Sequence, residues 1–186
     1  MWGGASVRST HAESNSNPFA RSTEVGSGLR CLPMTITVKG IEELEGLVGR
    51  TIGPSDWRKV TQEDIDRFAD VSGDHQWIHV DVERARRESP FGTTVAHGNL
   101  TLATIDGFRS TLLESTGFKL GVNYGWNKVR FPAPVPAGSR IRASVETLTV
   151  DDVGGGWHQI TQRWTVEVEG SQKPACVAES VGRVLT

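Results

Sequence analysis

From residue 122 to the C-terminus the chain repeats one pattern, in which apolar and polar residues alternate in runs cut by glycine- or proline-bearing turns. The runs at 122–131, 140–150, 157–169 and 175–185 read as β-strands, broken by Pro136-Ala137-Gly138, Gly154-Gly155-Gly156 and Gly170-Ser171. In the third run Ile160, Trp164, Val166 and Val168 fall on one side and Thr161, Arg163, Thr165, Glu167 and Glu169 on the other. That alternation predicts one packed face and one wet face. In the run from Arg140 the phase slips between Val145 and Leu148, the mark of a bulge.

Ahead of the strands the period is helical. Thr61, followed by Glu63 and Asp64, predicts an N-cap with an acidic first turn, and Ile65, Phe68 and Ala69 then share one face. Gly73 is placed to end that helix. Asp81 is placed to cap a second, short helix over 82–88, which Ser89-Pro90 stops. Over 99–114, Leu100, Ala103, Gly107, Phe108, Thr111 and Leu112 mark one face, yet Leu102, Ile105 and Leu113 occupy others. A helix apolar nearly all round is a buried one. Followed by an antiparallel meander, it predicts an α+β fold with a sheet wrapped around a long central helix.

Composition narrows the function classes. A chain of 186 residues, 37% hydrophobic and with net charge −2, is long enough for one proper core and has no bias toward nucleic acid. Cys31 and Cys176 fit neither a disulfide framework nor a C-x-x-C site, so the expected setting is reducing and cytoplasmic. No apolar run approaches the roughly 18 to 20 residues of a membrane helix, and no secretory signal core is visible near the start. Residues 1–33, rich in Ser, Asn, Arg and Gly without a period, read as a disordered extension, with Met34 as an alternative start. Residues 34–186 then read as a single domain.

The candidate chemistry lies between the helices. Ser72-Gly73-Asp74-His75-Gln76-Trp77-Ile78-His79 places a carboxylate, Asp74, and an imidazole, His79, on one loop off a helix C-terminus, and Ala96-His97-Gly98 opens the long helix. Asp74 is expected in a partly apolar pocket. His79, just ahead of the next helix, is expected as neutral imidazole because of the positive end of that helix. A carboxylate and an imidazole beside a helix start supply proton transfer and an anion-binding backbone N–H. Asp74 also fits a helix-terminating turn residue and His79 a cap of the next helix. His75, His79 and His97 have a superficial metal-ligand spacing, but the chain lacks the H-E-x-x-H pattern and Gly73 breaks the helix, so no metal is expected. Gly154-Gly155-Gly156 lacks the strand-to-helix setting and the lysine of a phosphate-binding loop.

From about residue 51 to 186 the chain resembles the MaoC-like, (R)-specific enoyl-CoA hydratase family, which has the hot-dog fold. The resemblance rests on Ser72-Gly73-Asp74, the Asp74-to-His79 spacing, Ala96-His97-Gly98, Phe131-Pro132 and Pro136-Ala137-Gly138. It implies hydration of trans-2-enoyl thioesters to 3-hydroxyacyl thioesters, or the reverse dehydration, with no metal or organic cofactor. Asp74 and His79 would grip one water, Gly98 would present its N–H to the thioester oxygen, and Gln76, Trp77 and His97 would contact substrate. The substrate carrier would be coenzyme A or an acyl carrier protein, and the assembly a homodimer joined sheet edge to sheet edge.

Two departures from the family pattern stand out. Gln76-Trp77 replaces the usual Asn-Pro, a change shared with a branch that includes nodulation-protein-N-like sequences, and Asp106 stands where the family often has serine. Loss of proline puts the loop conformation in question. Two further readings stay open here: an acyl-CoA thioesterase on the same fold, and a non-catalytic acyl-thioester binding module. Arg86, Arg87, Lys128 and Arg130 are candidates for the phosphates of coenzyme A, with solvated charge as the default for each.

Overall fold

The structure, a computed structural model, describes residues 35–186, so the extension expected over 1–33 lies outside the described residues. The chain opens on a short strand β1 (Ile36–Lys39) and a helical turn α1 (Gly40–Glu45), followed by two minimal strands, β2 (Thr51–Ile52) and β3 (Arg58–Lys59). The helices α2 (Gln62–Ser72), α3 (Trp77–Val80), α4 (Val82–Glu88) and α5 (Gly98–Leu112) come next. Five strands complete the chain: β4 (Leu113–Thr116), β5 (Leu120–Arg130), β6 (Arg140–Gly154), β7 (Trp157–Val168) and β8 (Cys176–Leu185).

The six-stranded sheet runs β2-β6-β7-β8-β5, with β3 also pairing β6. The four long strands are therefore antiparallel neighbours, but not in the meander expected from their sequence order. β5 lies beyond β8 on the far edge, and the chain crosses from there to β6. Alternation along a strand reports which face is packed and is silent about which neighbour it pairs with. The bulge expected in β6 is present: the register with β7 shifts between Thr147 and Thr149.

Local chemistry accounts for the helix ends. Thr61 accepts a hydrogen bond from the Asp64 N–H while the Asp64 carboxylate accepts from the Thr61 N–H, a reciprocal capping box. Gly73 closes α2 in the left-handed region at φ 75°, where a side chain would be strained. The Asp81 carboxylate caps α4 through the Arg84 N–H. α5 stops at Leu112, two residues short of the expected end, because residues 113–116 leave as β4 to pair in parallel with β1. That pairing depends on residues 77 positions upstream, which no local pattern reports.

The core lies between α5 and one face of the sheet. Ile105, Phe108 and Leu112 from the helix pack with Ile141, Val145, Trp164 and Val166 from β6 and β7. The expectation that α5 is buried all round needs correction: Asn99, Ala103, Asp106 and Ser110 form an exposed stripe along it. Among the described residues no helix is long and apolar enough to cross a membrane.

Candidate active site

The segment Thr94-Val95-Ala96-His97 is the spine of the site. It is pinned on one side by the Val95 N–H donating to the Ile78 carbonyl at 3.0 Å and on the other by the Ala96 N–H donating to Val135 at 2.8 Å. Gln62, in the first turn of α2, braces both neighbours: its amide N–H donates to the His79 carbonyl at 2.8 Å, and its carbonyl accepts from the Thr94 hydroxyl at 2.5 Å. Neither Gln62 nor Thr94 carries a sequence signal, because their partners are 17 and 32 residues away.

On this frame the two histidines stack, with ring centroids 3.7 Å apart and planes 26° from parallel, and Phe68 packs on the His97 ring at 5.0 Å. Each ring is fixed through one nitrogen. His79 Nδ1 lies 2.6 Å from the Val95 carbonyl and must donate to it, which leaves Nε2 as a lone-pair acceptor in the neutral ring. His97 Nε2 donates to the backbone carbonyl of Asp74 at 2.9 Å, and its Nδ1 is buried with no partner. His97, only 3% exposed, thus acts on the Asp74 loop from beneath instead of lying open to a substrate as expected.

A carboxylate oxygen of Asp74 and one ring nitrogen from each of His79 and His97 lie within 4.8 Å of one another. That spacing suits one water held between carboxylate and imidazole. Asp74 itself is exposed in this chain, where an apolar pocket was expected. His79 is buried, and burial is the main reason its pKa lies below the ordinary 6.5; the Val95 hydrogen bond opposes this, the His97 ring adds to it, and Asp74 opposes it. The neutral imidazole expected from the sequence therefore has a different cause. His79 sits in the last residues of α3, a short turn where a loop is expected, and, as expected, just ahead of the start of α4.

The same three donors would be the ones to hold a metal among the described residues. His75, grouped with the other histidines by spacing, turns away and lies 3.8 Å from Asp70. Both rings already fix their second nitrogen on a carbonyl, a pattern that serves a cation or a water equally.

With Gln76-Trp77 in place of Asn-Pro, residue 76 still takes a backbone conformation compatible with a following proline. Gln76 has φ −56° and ψ 134°, the extended conformation required before proline, and its N–H donates to Asp74 Oδ1 at 3.3 Å. The Gln76 side chain is exposed, whereas Trp77 is half-buried with the Arg84 guanidinium 4.4 Å over its ring.

Gly98 is the first residue of α5, so its N–H has no intrahelical acceptor and the helix dipole stands behind it. Its lack of a side chain has a specific partner: a Cβ there would fall 2.8 Å from the Phe131 ring. Phe131 was part of the recognisable sequence pattern without a role, and this contact gives it one. Of the candidate phosphate contacts, Arg86 pairs with Glu83, Lys128 lies 3.9 Å from Glu179, and Arg130 donates to the Val129 carbonyl. These fit solvated surface charge.

The chain is similar to known proteins along most of its length. A family model described as MaoC like domain matches residues 43–169. The chain is 54% identical over 147 residues to 3-hydroxyacyl-thioester dehydratase Z of Mycobacterium tuberculosis, covering 79% of this chain and 97% of that protein. It is 40% identical over 139 residues to nodulation protein N of Rhizobium leguminosarum bv. viciae, covering 74% and 86%. Among solved structures, the monoamine oxidase regulatory protein from Archaeoglobus fulgius superposes with a TM-score of 0.66 at 25% identity, covering 80% of this chain and 97% of that one.

Proposed function

The chain belongs to the MaoC-like domain family, and from that premise we propose that it interconverts 3-hydroxyacyl and trans-2-enoyl thioesters. The observation that carries the mechanism is the convergence of Asp74 and His79 beside the start of α5.

In the hydration direction, water lies between the Asp74 carboxylate and His79 Nε2, both of which accept its protons. As the water oxygen bonds to C3 of the enoyl group, the C2–C3 π electrons move toward the thioester and the carbonyl becomes an enolate. One water proton passes to the Asp74–His79 pair and returns to C2 on the same face, so the pair ends as it began. A positioned acid/base group of this kind contributes about 10²- to 10⁴-fold. The Gly98 N–H, with the helix dipole behind it, receives the enolate oxygen; one such donor is worth roughly 3 to 4 kcal/mol. His97 and Gln62 are positioning residues, the first holding the Asp74 backbone and the second the His79 backbone. Gln76 and Trp77 flank the pair and are assigned to the substrate entrance.

The assembly that fits this reading is a homodimer through β5. That strand is an outer edge of the sheet, 11 residues long, and it exposes Leu120, Val122 and Tyr124 at 49%, 39% and 60%. A long apolar edge left open invites a second sheet. The acyl carrier is assigned as coenzyme A or acyl carrier protein. A reducing cytoplasmic setting accords with Cys176, a buried free thiol whose pKa burial raises to about 11.

The test is incubation with trans-2-enoyl-CoAs of increasing length and chiral analysis of the product. The expected result is a single 3-hydroxyacyl-CoA enantiomer. Release of free thiol would replace the proposal with thioester hydrolysis, and tight binding without turnover would replace it with a binding module.

A further inference from the structure

A second feature of α5 lies away from Asp74, His79 and Gly98. A cavity of about 400 Å³ opens between the C-terminal half of the helix and the strands β7, β8 and β5. Most of its wall is apolar, from Leu44, Leu113, Val122, Ile160, Val181 and Val184. Set into that wall is the guanidinium of Arg109.

Arg109 is held by groups deep in the core. It donates to the Gln162 side-chain oxygen at 2.6 Å and toward Ser180 Oγ at 3.5 Å, and it lies 5.0 Å over the Trp164 ring. Those partners are themselves fixed: the Gln162 amide N–H donates to Thr147 Oγ1 at 3.3 Å, and Trp164 Nε1 donates to Ser180 Oγ at 3.2 Å. Gln162, Ser180 and Thr147 are each 2% exposed or less. A polar network placed in the packed face of a sheet orients a charge at the expense of apolar burial. Yet the fork of Arg109 is not used up. A guanidinium has five N–H donors, and Asp106, the remaining neighbour, is 3.9 Å from Nε and mostly exposed. Arg183, which also lines the cavity, is by contrast committed, with two bonds to Gln159 and its guanidinium 3.6 Å from the Tyr124 ring.

The cavity is linked to the reaction centre by the helix. Arg109 follows Gly98 by eleven positions, about three turns and ~16 Å along the axis, on nearly the same side. Leu102 and Ile105 lie between them on that side; the exposed stripe Asn99, Ala103, Asp106 and Ser110 runs alongside, about a quarter turn round the helix, and its last two residues reach the cavity wall.

Resting on the dehydratase reading above, we propose that this cavity selects acyl groups carrying an acceptor oxygen at their distal end, with Arg109 as the specificity-determining residue. The thioester sits at the start of α5, the alkyl portion follows the stripe past Ala103 into the apolar cavity, and the terminal hydroxyl or carboxylate oxygen accepts from the free donors of Arg109. A plain alkyl terminus would cover the uncommitted donors of Arg109 without satisfying them, and an unpaired buried donor is a strong form of discrimination.

The experiment compares kcat/KM for trans-2-enoyl-CoAs of one length that reach the cavity, ending in methyl, hydroxyl or carboxylate, with crotonyl-CoA as a substrate too short to do so. Crotonyl-CoA turnover reports the dehydratase reading alone. The expected result for the wild-type protein is a preference of about tenfold or more for an oxygenated terminus over methyl. In Arg109→Leu that ratio falls to one or inverts. Arg109→Lys keeps the charge without the fork and gives an intermediate ratio. Equal or better turnover of the methyl-terminated substrate by wild type, or a preference that survives Arg109→Leu, overturns the proposal. Failure to turn over any of these enoyl-CoAs overturns the dehydratase reading instead.

Discussion

The two ends of α5 are built in different ways. At its start, the reacting groups come from short, adjoining stretches: Asp74 and His79 from one loop, His97 and Gly98 from the helix entrance, each fixed through a backbone carbonyl or N–H. At its far end, Arg109 is oriented by side chains on β6, β7 and β8, 38 to 71 positions further along the chain. The first arrangement is nearly independent of the sheet register. The second exists only when β7 and β8 pair as they do, bringing Gln162 opposite Ser180. Local backbone contacts suit a reaction centre, where small errors of position are costly, whereas a distant side-chain network can change from one chain to another without disturbing the reaction.

The largest effects should come from breaking the first end. Asp74→Asn and His79→Gln each remove one acceptor for the water and should lower kcat with crotonyl-CoA by about 10²- to 10⁴-fold while the circular dichroism spectrum is unchanged. Near-full activity in either would dissolve the distinction between the two ends, since the chemistry would then lie elsewhere.

Next in size is Gly98→Ala. The added Cβ would press on the Phe131 ring at 2.8 Å, and the first N–H of α5 would be displaced or covered. A loss of roughly 10²-fold in kcat is expected, the scale of one missing oxyanion donor. Adding Phe131→Ala to that variant should recover at least about tenfold, because the collision is with a half-exposed ring and not with backbone. No recovery would show that the glycine serves only substrate approach.

The same contrast explains what the sequence makes legible. The capping box at Thr61, the αL position of Gly73, the Asp81 cap and the bulge after Thr147 are all written within a few residues, and each is where the pattern places it. The nearness of Asp74 and His79 is likewise written in one short loop, and their proposed role with Gly98 comes from the family resemblance. What escaped depends on distance in the chain. Strand order put β5 beside β8 and not β6, and α5 gives way to β4 at Leu113 because β1 is there to pair with. Arg109 is one of many surface-type charges until the register of β7 and β8 brings Gln162 and Ser180 under it. Thr61→Ala sharpens the point: losing the cap of α2 should cost about 1 kcal/mol in urea unfolding, and since Gln62, the next residue, braces His79, kcat should fall along with stability.

The smallest effect is also the most diagnostic of how the first end works. Burial, as the leading cause, holds the His79 pKa below 6.5, so the folded protein binds fewer protons than the unfolded chain at pH values between the folded and unfolded pKa. The sign follows: this part of the stability is complete above pH 6.5 and is lost as pH falls through the lower, folded value. Urea midpoints of the wild type should therefore decline on acidification below pH 6.5 more steeply than those of His79→Gln. In the wild type the acid limb of kcat/KM, which reports the free enzyme, should also fall below 6.5. An acid limb above 6.5 would mean that the Asp74 charge outweighs burial, and the water would then be held by an ion pair. That would make the start of α5, like its far end, a site organised by a charged side chain, and the contrast between the two would fail.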